Sequence, residues 1–110
     1  MDAVLEKFLK GVKDSGLRRS IERIYLFGSR AKGTEKPNSD YDLLIVVRGN
    51  SKTNKNKEFR EKIYDVVVDT LLETGRDISL KIFRKKEFNR LCRMETPFMR
   101  SVLKEGIRIG

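Results

Sequence analysis

Two aspartates, two residues apart, are the side chains of this sequence best placed to do chemistry. Asp40 and Asp42 stand at the start of an apolar run that ends at Val47. In a strand, residues two apart leave the same face, so these carboxylates would lie roughly 6–7 Å apart along the backbone. Such a pair repels, and each pKa would rise unless a cation compensates the charge. Mg²⁺ suits this role, because it binds carboxylates together with substrate phosphate oxygens.

A second polar element, Gly28-Ser29, ends the preceding apolar run and lies ten residues before Asp40. Glycine allows a backbone to approach a bulky anion, and successive N–H groups in such a turn can bind phosphate. The Ser29 hydroxyl adds a donor, and Arg30 adds positive charge. A lone Gly-Ser or a lone Asp-x-Asp is usually structural. Together, at neighbouring strand ends, they predict phosphoryl- or nucleotidyl-transfer chemistry.

Alternating strands and helices are predicted to position these groups. Tyr41 to Val47 is the strongest strand, and its apolar residues on both faces predict a central, covered position. Gly75 is expected to cap the helix before the third strand. The predicted elements are helices over 2–20, 57–74 and 85–93, a helix from Thr96-Pro97 to Gly106, strands over 24–27, 41–47 and 78–83, an edge strand over 107–109, and loops over 30–39 and 48–57.

Length and composition limit the function classes. The 110 residues suffice for one domain, 1–110, with one modest core. With no histidine and only Cys92, the chain lacks the residues for a histidine-based triad, a structural zinc site or an internal disulfide. Any metal should therefore be a hard cation held by oxygen. No signal peptide or bilayer-length apolar run is recognised, so we expect a cytoplasmic protein without membrane contact.

The formal net charge of +9 leaves two interpretations open. A basic surface attracts nucleic acid, nucleotides or an acidic protein. A Lys/Glu-rich surface is equally typical of thermophilic proteins. The same ambiguity applies to one basic stripe, which could bind a polyanion or simply be a solvated helix face; it comprises Arg84, Lys85, Lys86, Arg90 and Arg93.

The run from Gly28-Ser29 through ten residues to Asp40-Tyr41-Asp42 resembles the signature of the DNA polymerase beta-like nucleotidyltransferases. The flanking residues resemble the minimal, antitoxin-type branch encoded beside a HEPN partner. This resemblance implies an α/β (α+β) fold, with a small mixed sheet backed by helices on one face. It also implies that Gly28 and Ser29 hold the phosphates of a nucleoside triphosphate such as ATP, while Asp40 and Asp42 bind two Mg²⁺ ions.

The family pattern also includes a third carboxylate, on the strand beside the Asp-x-Asp strand. In this chain Asp77, Ser79 and Lys81 share one face of that strand by alternation. Asp77 is the candidate catalytic and metal-binding residue, but the apolar pattern fits Ser79 at that position equally well. If Ser79 occupies it, the site lacks a carboxylate for the second metal.

Three functions are therefore considered. The first is Mg²⁺-dependent transfer of AMP to a hydroxyl of a partner macromolecule, which the resemblance implies to be a HEPN-type toxin. The second is an antitoxin that binds such a partner with catalysis weak or lost. The third, nucleic-acid binding, explains the charge but not the Gly-Ser and Asp-x-Asp pairing, and ranks last. Part of the last helix could instead form a surface for a homo-oligomer or for the partner.

Overall fold

Three seven-residue strands form the centre of the fold, with helices between them along the chain. The computed structural model describes residues 2–49 and 53–110, and side chains outside 53–56. A 3₁₀ turn, Leu17–Ser20, joins α1 to β1. The elements in chain order are α1 (Ala3–Asp14), β1 (Ile21–Phe27), α2 (Ser29–Lys32), β2 (Tyr41–Val47), α3 (Thr53–Thr74), β3 (Ile78–Arg84), α4 (Lys85–Met94), α5 (Pro97–Glu105) and β4 (Ile107–Arg108).

The strands form one mixed sheet in the order β3-β2-β1-β4. The hairpin partners β1 and β2 are antiparallel, whereas β2 and β3 are parallel. A parallel pair needs a long crossover connection, and α3 is part of the chain that supplies it. The predicted edge strand is confirmed, because β4 pairs antiparallel with the outer side of β1.

Helices cover both faces of this sheet. On one face, Leu43 and Ile45 belong to a core cluster shared with α1 and α3. On the other, Leu44 and Val46 pack in a cluster with residues of α4 and α5, namely Phe88, Met99 and Val102. The mixed α/β class and the central position of β2 are confirmed. The expectation that helices back only one face is wrong, because β2 is apolar on both sides and each side must be covered.

Several element boundaries differ from the prediction. The helix predicted over 2–20, which Ser15-Gly16 is expected to end or bend, ends at Asp14, and Gly16 adopts φ +77°. The second strand of the prediction is confirmed over its full length, but β1 starts at Ile21, three residues early. The predicted loop 48–57 is helical from Thr53, while residues 50–52 lie outside the described residues. These helical turns carry no apolar residue, so periodicity could not detect them. In the described ranges, no helix is long and apolar enough to span a membrane.

Candidate active site

The β1–β2 hairpin brings the Gly-Ser turn against the aspartate pair. Phe27, the last residue of β1, is in register with Asp42, and Gly28 follows it. Gly28 adopts φ +75° and ψ −157°, a conformation that side chains rarely allow. A Cβ atom at this position would collide with Asp42 Oδ2 and lie 3.2 Å from Asp42 Cγ. The turn backbone is therefore in direct contact with the Asp42 carboxylate, and only glycine fits there.

Ser29 starts the short helix α2 immediately beyond this contact. The N–H groups of Ala31 and Lys32 each donate to Gly28 O at 3.2 Å, which closes the turn. Ser29 O accepts from Thr34 N–H at 2.9 Å. The structure thus places Gly28 and Ser29 beside the carboxylates, as the spacing predicted. Their binding of phosphate stays a prediction.

Asp40 and Asp42 form the acidic part of the site. Asp42 is partly buried, whereas Asp40 is exposed. The pKa of Asp42 is raised, first by desolvation and second by repulsion from Asp40, with Lys81 acting in the opposite direction. The Asp40 carboxylate therefore contributes to the raised pKa of Asp42. A site whose charged form is disfavoured in this way would gain from a bound cation.

The donor set fits a magnesium ion shared with a substrate better than an all-protein metal cage. In residues 2–49 and 53–110, no three His, Cys, Asp or Glu side chains come together as metal ligands. Two carboxylates alone are a common arrangement for Mg²⁺, which keeps waters and takes phosphate oxygens as its other ligands. The residues present therefore suit one Mg²⁺–nucleotide more readily than two independently held ions.

The structure does not bring Asp77 into a three-carboxylate group. The residue directly beside Asp42 on β3 is Ser79. Asp77 lies just before the strand, and its exposed carboxylate accepts from the N–H of Ile78 at 2.8 Å. Of the two registers that the sequence left open, the structure has the one with serine beside Asp42.

Lys81 is a site residue that the sequence-based assignment passed over. It lies two residues after Ser79 on the same face of β3. Its positive charge acts to lower the pKa of Asp42. Its ammonium lies 5.8 Å from the centre of the Phe98 ring, which packs edge-on against Phe27. The signal was available, because strand alternation alone places Lys81 on the face of the carboxylate pair.

Arg30 holds the loop that leads into the aspartates. Its Nε and Nη2 groups donate to the Ser39 carbonyl oxygen at 3.0 and 2.8 Å. The guanidinium also lies 3.9 Å above the ring of Tyr41, between the two aspartates in sequence. The predicted phosphate contact of Arg30 stays untested, whereas these contacts indicate that it positions the Asp40–Asp42 segment.

Tyr41 continues this support into the first helix. Its buried hydroxyl donates to Asp2 Oδ2, while Asp2 Oδ1 accepts from Leu5 N–H at 2.9 Å and caps α1. Burial, followed by the hydrogen bond to Asp2, raises the pKa of Tyr41. A chain of contacts from Arg30 through Tyr41 to Asp2 thus ties the start of β2 to α1.

Replacing Arg30 should separate positioning from phosphate binding. We expect Arg30→Lys to lower the free energy of unfolding by about 1–2 kcal/mol, because lysine cannot reproduce the paired hydrogen bonds and the ring contact. Urea denaturation without nucleotide measures this change, with Arg100→Lys as an exposed control. Unchanged stability together with a raised KM for nucleotide would instead indicate that Arg30 binds phosphate directly.

Comparison with known proteins gives a family and close relatives. A family model described as a nucleotidyltransferase domain matches residues 5–109. A Methanocaldococcus jannaschii protein named "Putative protein adenylyltransferase MJ0604" is 30% identical, over 96% of this chain and 93% of that protein. A second protein of that organism, "Putative protein adenylyltransferase MJ1305", is 31% identical, over 69% of this chain and 62% of its own length.

Solved structures agree on the fold. One is a toxin–antitoxin structure with AMP-PNP, which matches 94% of this chain and 69% of its own with a TM-score of 0.56 and 20% identity. A nucleotidyltransferase-like protein from Sulfolobus solfataricus matches 98% of this chain and 86% of its own, with a TM-score of 0.56 and 17% identity. With the sequence match over almost the full length, these findings show that the chain belongs to the nucleotidyltransferase domain family.

Proposed function

We propose that this chain transfers AMP from ATP to a hydroxyl group of a partner protein, in a reaction that requires Mg²⁺. The observation that carries the proposal is the contact between the Gly28 turn and the Asp42 carboxylate, in a chain of the nucleotidyltransferase family. The relatives named as protein adenylyltransferases support adenylyl as the transferred group and protein as the acceptor. The toxin–antitoxin structure with AMP-PNP supports an adenine nucleotide.

Each group of residues at the site has a separate role in the proposed transfer. Asp40 and Asp42 would hold Mg²⁺, which when bound neutralises phosphate charge and polarises the α-phosphoryl group. The Gly28–Ser29 turn would orient the triphosphate, and Lys81 would add positive charge on the same face. The acceptor oxygen forms a bond to the α-phosphorus while the bond to pyrophosphate breaks, and the hydroxyl proton is released. Positioning and charge neutralisation supply most of the rate in such transfers.

A HEPN-type chain is the acceptor that we propose. The resemblance of the Gly28–Val47 run to antitoxin-type nucleotidyltransferases supports this choice, as do the toxin–antitoxin fold neighbours. The test is incubation of ATP labelled at the α-phosphate with this chain and a HEPN protein encoded beside its gene. We expect label on the HEPN chain, and none in the presence of EDTA. Absence of label with every divalent metal tried would contradict transfer.

The second candidate is an antitoxin that binds its partner with little or no catalysis. One observation favours it: Ser79, not a carboxylate, is the β3 neighbour of Asp42. A site with two carboxylates can bind Mg²⁺–nucleotide but lacks a ligand for a second metal. In this case the chain would bind the HEPN protein and ATP without labelling the partner.

A Ser79→Asp substitution should distinguish these two functions. In the transferase, we expect a carboxylate beside Asp42 to lower the Mg²⁺ concentration for half-maximal labelling by about tenfold, since it adds a metal ligand. In a binding module that has lost other parts of the site, labelling stays absent. Asp77→Asn is the matched comparison and should leave labelling unchanged. Loss of labelling in Asp77→Asn would show that the third ligand is Asp77 after all.

A further inference from the structure

The end of the sheet opposite the aspartates carries a row of arginines from neighbouring strands. Arg48 follows β2, and its backbone N–H donates to Ser20 O at 2.8 Å, which sets Arg19 and Arg48 on adjacent strand ends. On the other side of β2, Arg84 of β3 is in register with Val47. Three strand termini therefore present basic side chains at one edge of the molecule.

Acidic residues at this end neutralise only part of its basic charge. Glu22 pairs with Lys85 at 3.2 Å, and Glu87 pairs with Arg84 at 3.2 Å. Hydrogen bonds and charge from Arg84, with a further contribution from Arg60, lower the pKa of Glu87. Four further arginines are exposed and, in the described part of the chain, have no carboxylate within 4.0 Å; they are Arg18, Arg19, Arg48 and Arg60, here called the basic end.

Arg60 and Arg84 line the same cleft of about 210 Å³, so α3 and β3 contribute to one surface. Glu87 lines the same cleft, and the positive charge of this end comes mainly from the arginines that have no carboxylate partner among the described residues.

The chemistry of this surface favours a phosphate backbone over a protein partner. Protein interfaces depend on buried apolar or aromatic anchors at their centre. Within the described residues, the exposed large apolar side chains lie elsewhere: on α3 from Tyr64 to Leu72, and at Met94, Leu103 and Ile107. Guanidinium groups pair with phosphate in two-point contacts, and charge alone supplies most sequence-independent nucleic-acid binding.

We propose that the basic end binds the sugar–phosphate backbone of nucleic acid without base specificity. Seven strand residues separate it from the aspartates, a distance of about 20 Å. A nucleic acid held there would not occupy the nucleotide site, and binding would be independent of AMP transfer. The proposal thus adds a second binding surface to the chain and does not rest on the proposed function.

The test is fluorescence anisotropy with one labelled 20-nucleotide sequence, prepared as RNA and as DNA. We expect the double variant Arg19→Glu/Arg48→Glu to weaken binding of both by at least about tenfold, and to reduce the slope of log K against log salt by about 1 to 2. The control Arg93→Glu/Lys104→Glu makes the same change in net charge at exposed positions elsewhere and should weaken binding much less. If charge reversal lowers the folded fraction, the neutral pair Arg19→Gln/Arg48→Gln replaces it.

Two further measurements decide what is bound and where. Equal weakening in the basic-end and control variants would overturn the proposal, because general attraction to a basic chain would then explain binding. Equally tight binding of polyglutamate would overturn it in favour of an acidic protein. Asp42→Asn should bind RNA like the unmodified chain, and loss of binding in that variant would place the nucleic acid in the nucleotide site instead.

Discussion

Asp42→Asn is expected to reduce labelling of the partner protein by about 10³-fold or more, since removing a ligand of the catalytic metal costs several kcal/mol of transition-state stabilisation. Asp42 is the aspartate in contact with the Gly28 turn, so in the proposed function it would hold the metal next to the backbone that orients the triphosphate. Initial rates with labelled ATP at saturating Mg²⁺ measure the effect. The substitution keeps the shape of the side chain and changes little besides its charge.

A stability measurement distinguishes this loss of labelling from a loss of folded protein. The pKa of Asp42 is higher in the fold than in the unfolded chain, so the folded state binds more protons between the two values. Stability therefore falls as pH rises through that window and stays lower above it. Without metal at neutral pH, Asp42→Asn should melt at or above the temperature of the unmodified chain, and the difference should shrink as pH falls through that window and be lost below the ordinary carboxyl pKa of 3.8.

Asp69→Asn is the matched control for Asp42→Asn. Asp69 lies on α3 and lines a groove between α1 and α3, on the face of the sheet opposite the site. Its replacement removes one carboxylate but no ligand of the proposed metal, and labelling should stay unchanged. Equal loss of labelling in both variants, or undiminished labelling in Asp42→Asn, would contradict a metal-binding role for Asp42.

The parts of this fold that depend on local pattern could be predicted from sequence. Tyr41–Val47 matches its predicted strand because an apolar run, which includes Ile45, Val46 and Val47, fills it after Asp42. The common face of Asp40 and Asp42 follows from strand alternation, and the approach of Gly28 follows from a hairpin that joins consecutive strands. Each of these inferences needs only residues near in sequence, or a pairing that the connection makes common.

The parts that depend on distant contacts could not be predicted. The identity of the residue beside Asp42 depends on how β3 aligns with β2, and no local sequence pattern fixes that register. Asp77 and Ser79 differ by one strand period, so both keep the apolar face inward. Arg30 poses the same difficulty, because its contact with Ser39 depends on the path of a polar loop.

The charge of the chain could also be predicted only in part from the sequence. Sequence gives the excess of basic residues but not their distribution in space. Arg19, Arg48 and Arg84 are far apart in sequence, and sheet register brings them to one edge. The basic stripe over 84–93 could be recognised in the sequence because its members lie within ten residues of one another. Sheet pairing places one of them, Arg84, at the same edge as arginines that are distant in sequence.

Gly28→Ala should show the strongest combined loss of stability and activity. The backbone angles of Gly28, φ +75° and ψ −157°, lie in a region that is almost restricted to glycine and costs another residue about 1–3 kcal/mol, and the added Cβ would also collide with Asp42 Oδ2. Relief of the collision must move the carboxylate or the turn, and a displacement of about 1 Å at a reacting site can lower the rate by about 100-fold. Labelling rates and urea denaturation measure the two effects.

Two other glycines with positive φ serve as controls for Gly28→Ala, because alanine there would cause backbone strain without a collision. Gly33 and Gly16 adopt φ +75° and +77°, but a Cβ at either position would have no atom within 4 Å. Gly33→Ala and Gly16→Ala should therefore lose stability through backbone strain alone, while labelling at a temperature where all variants are folded stays near that of the unmodified chain. If Gly28→Ala labels as fast as these two controls, the contact between the turn and Asp42 does not position the site, and the geometric basis of the proposed transfer is lost with it.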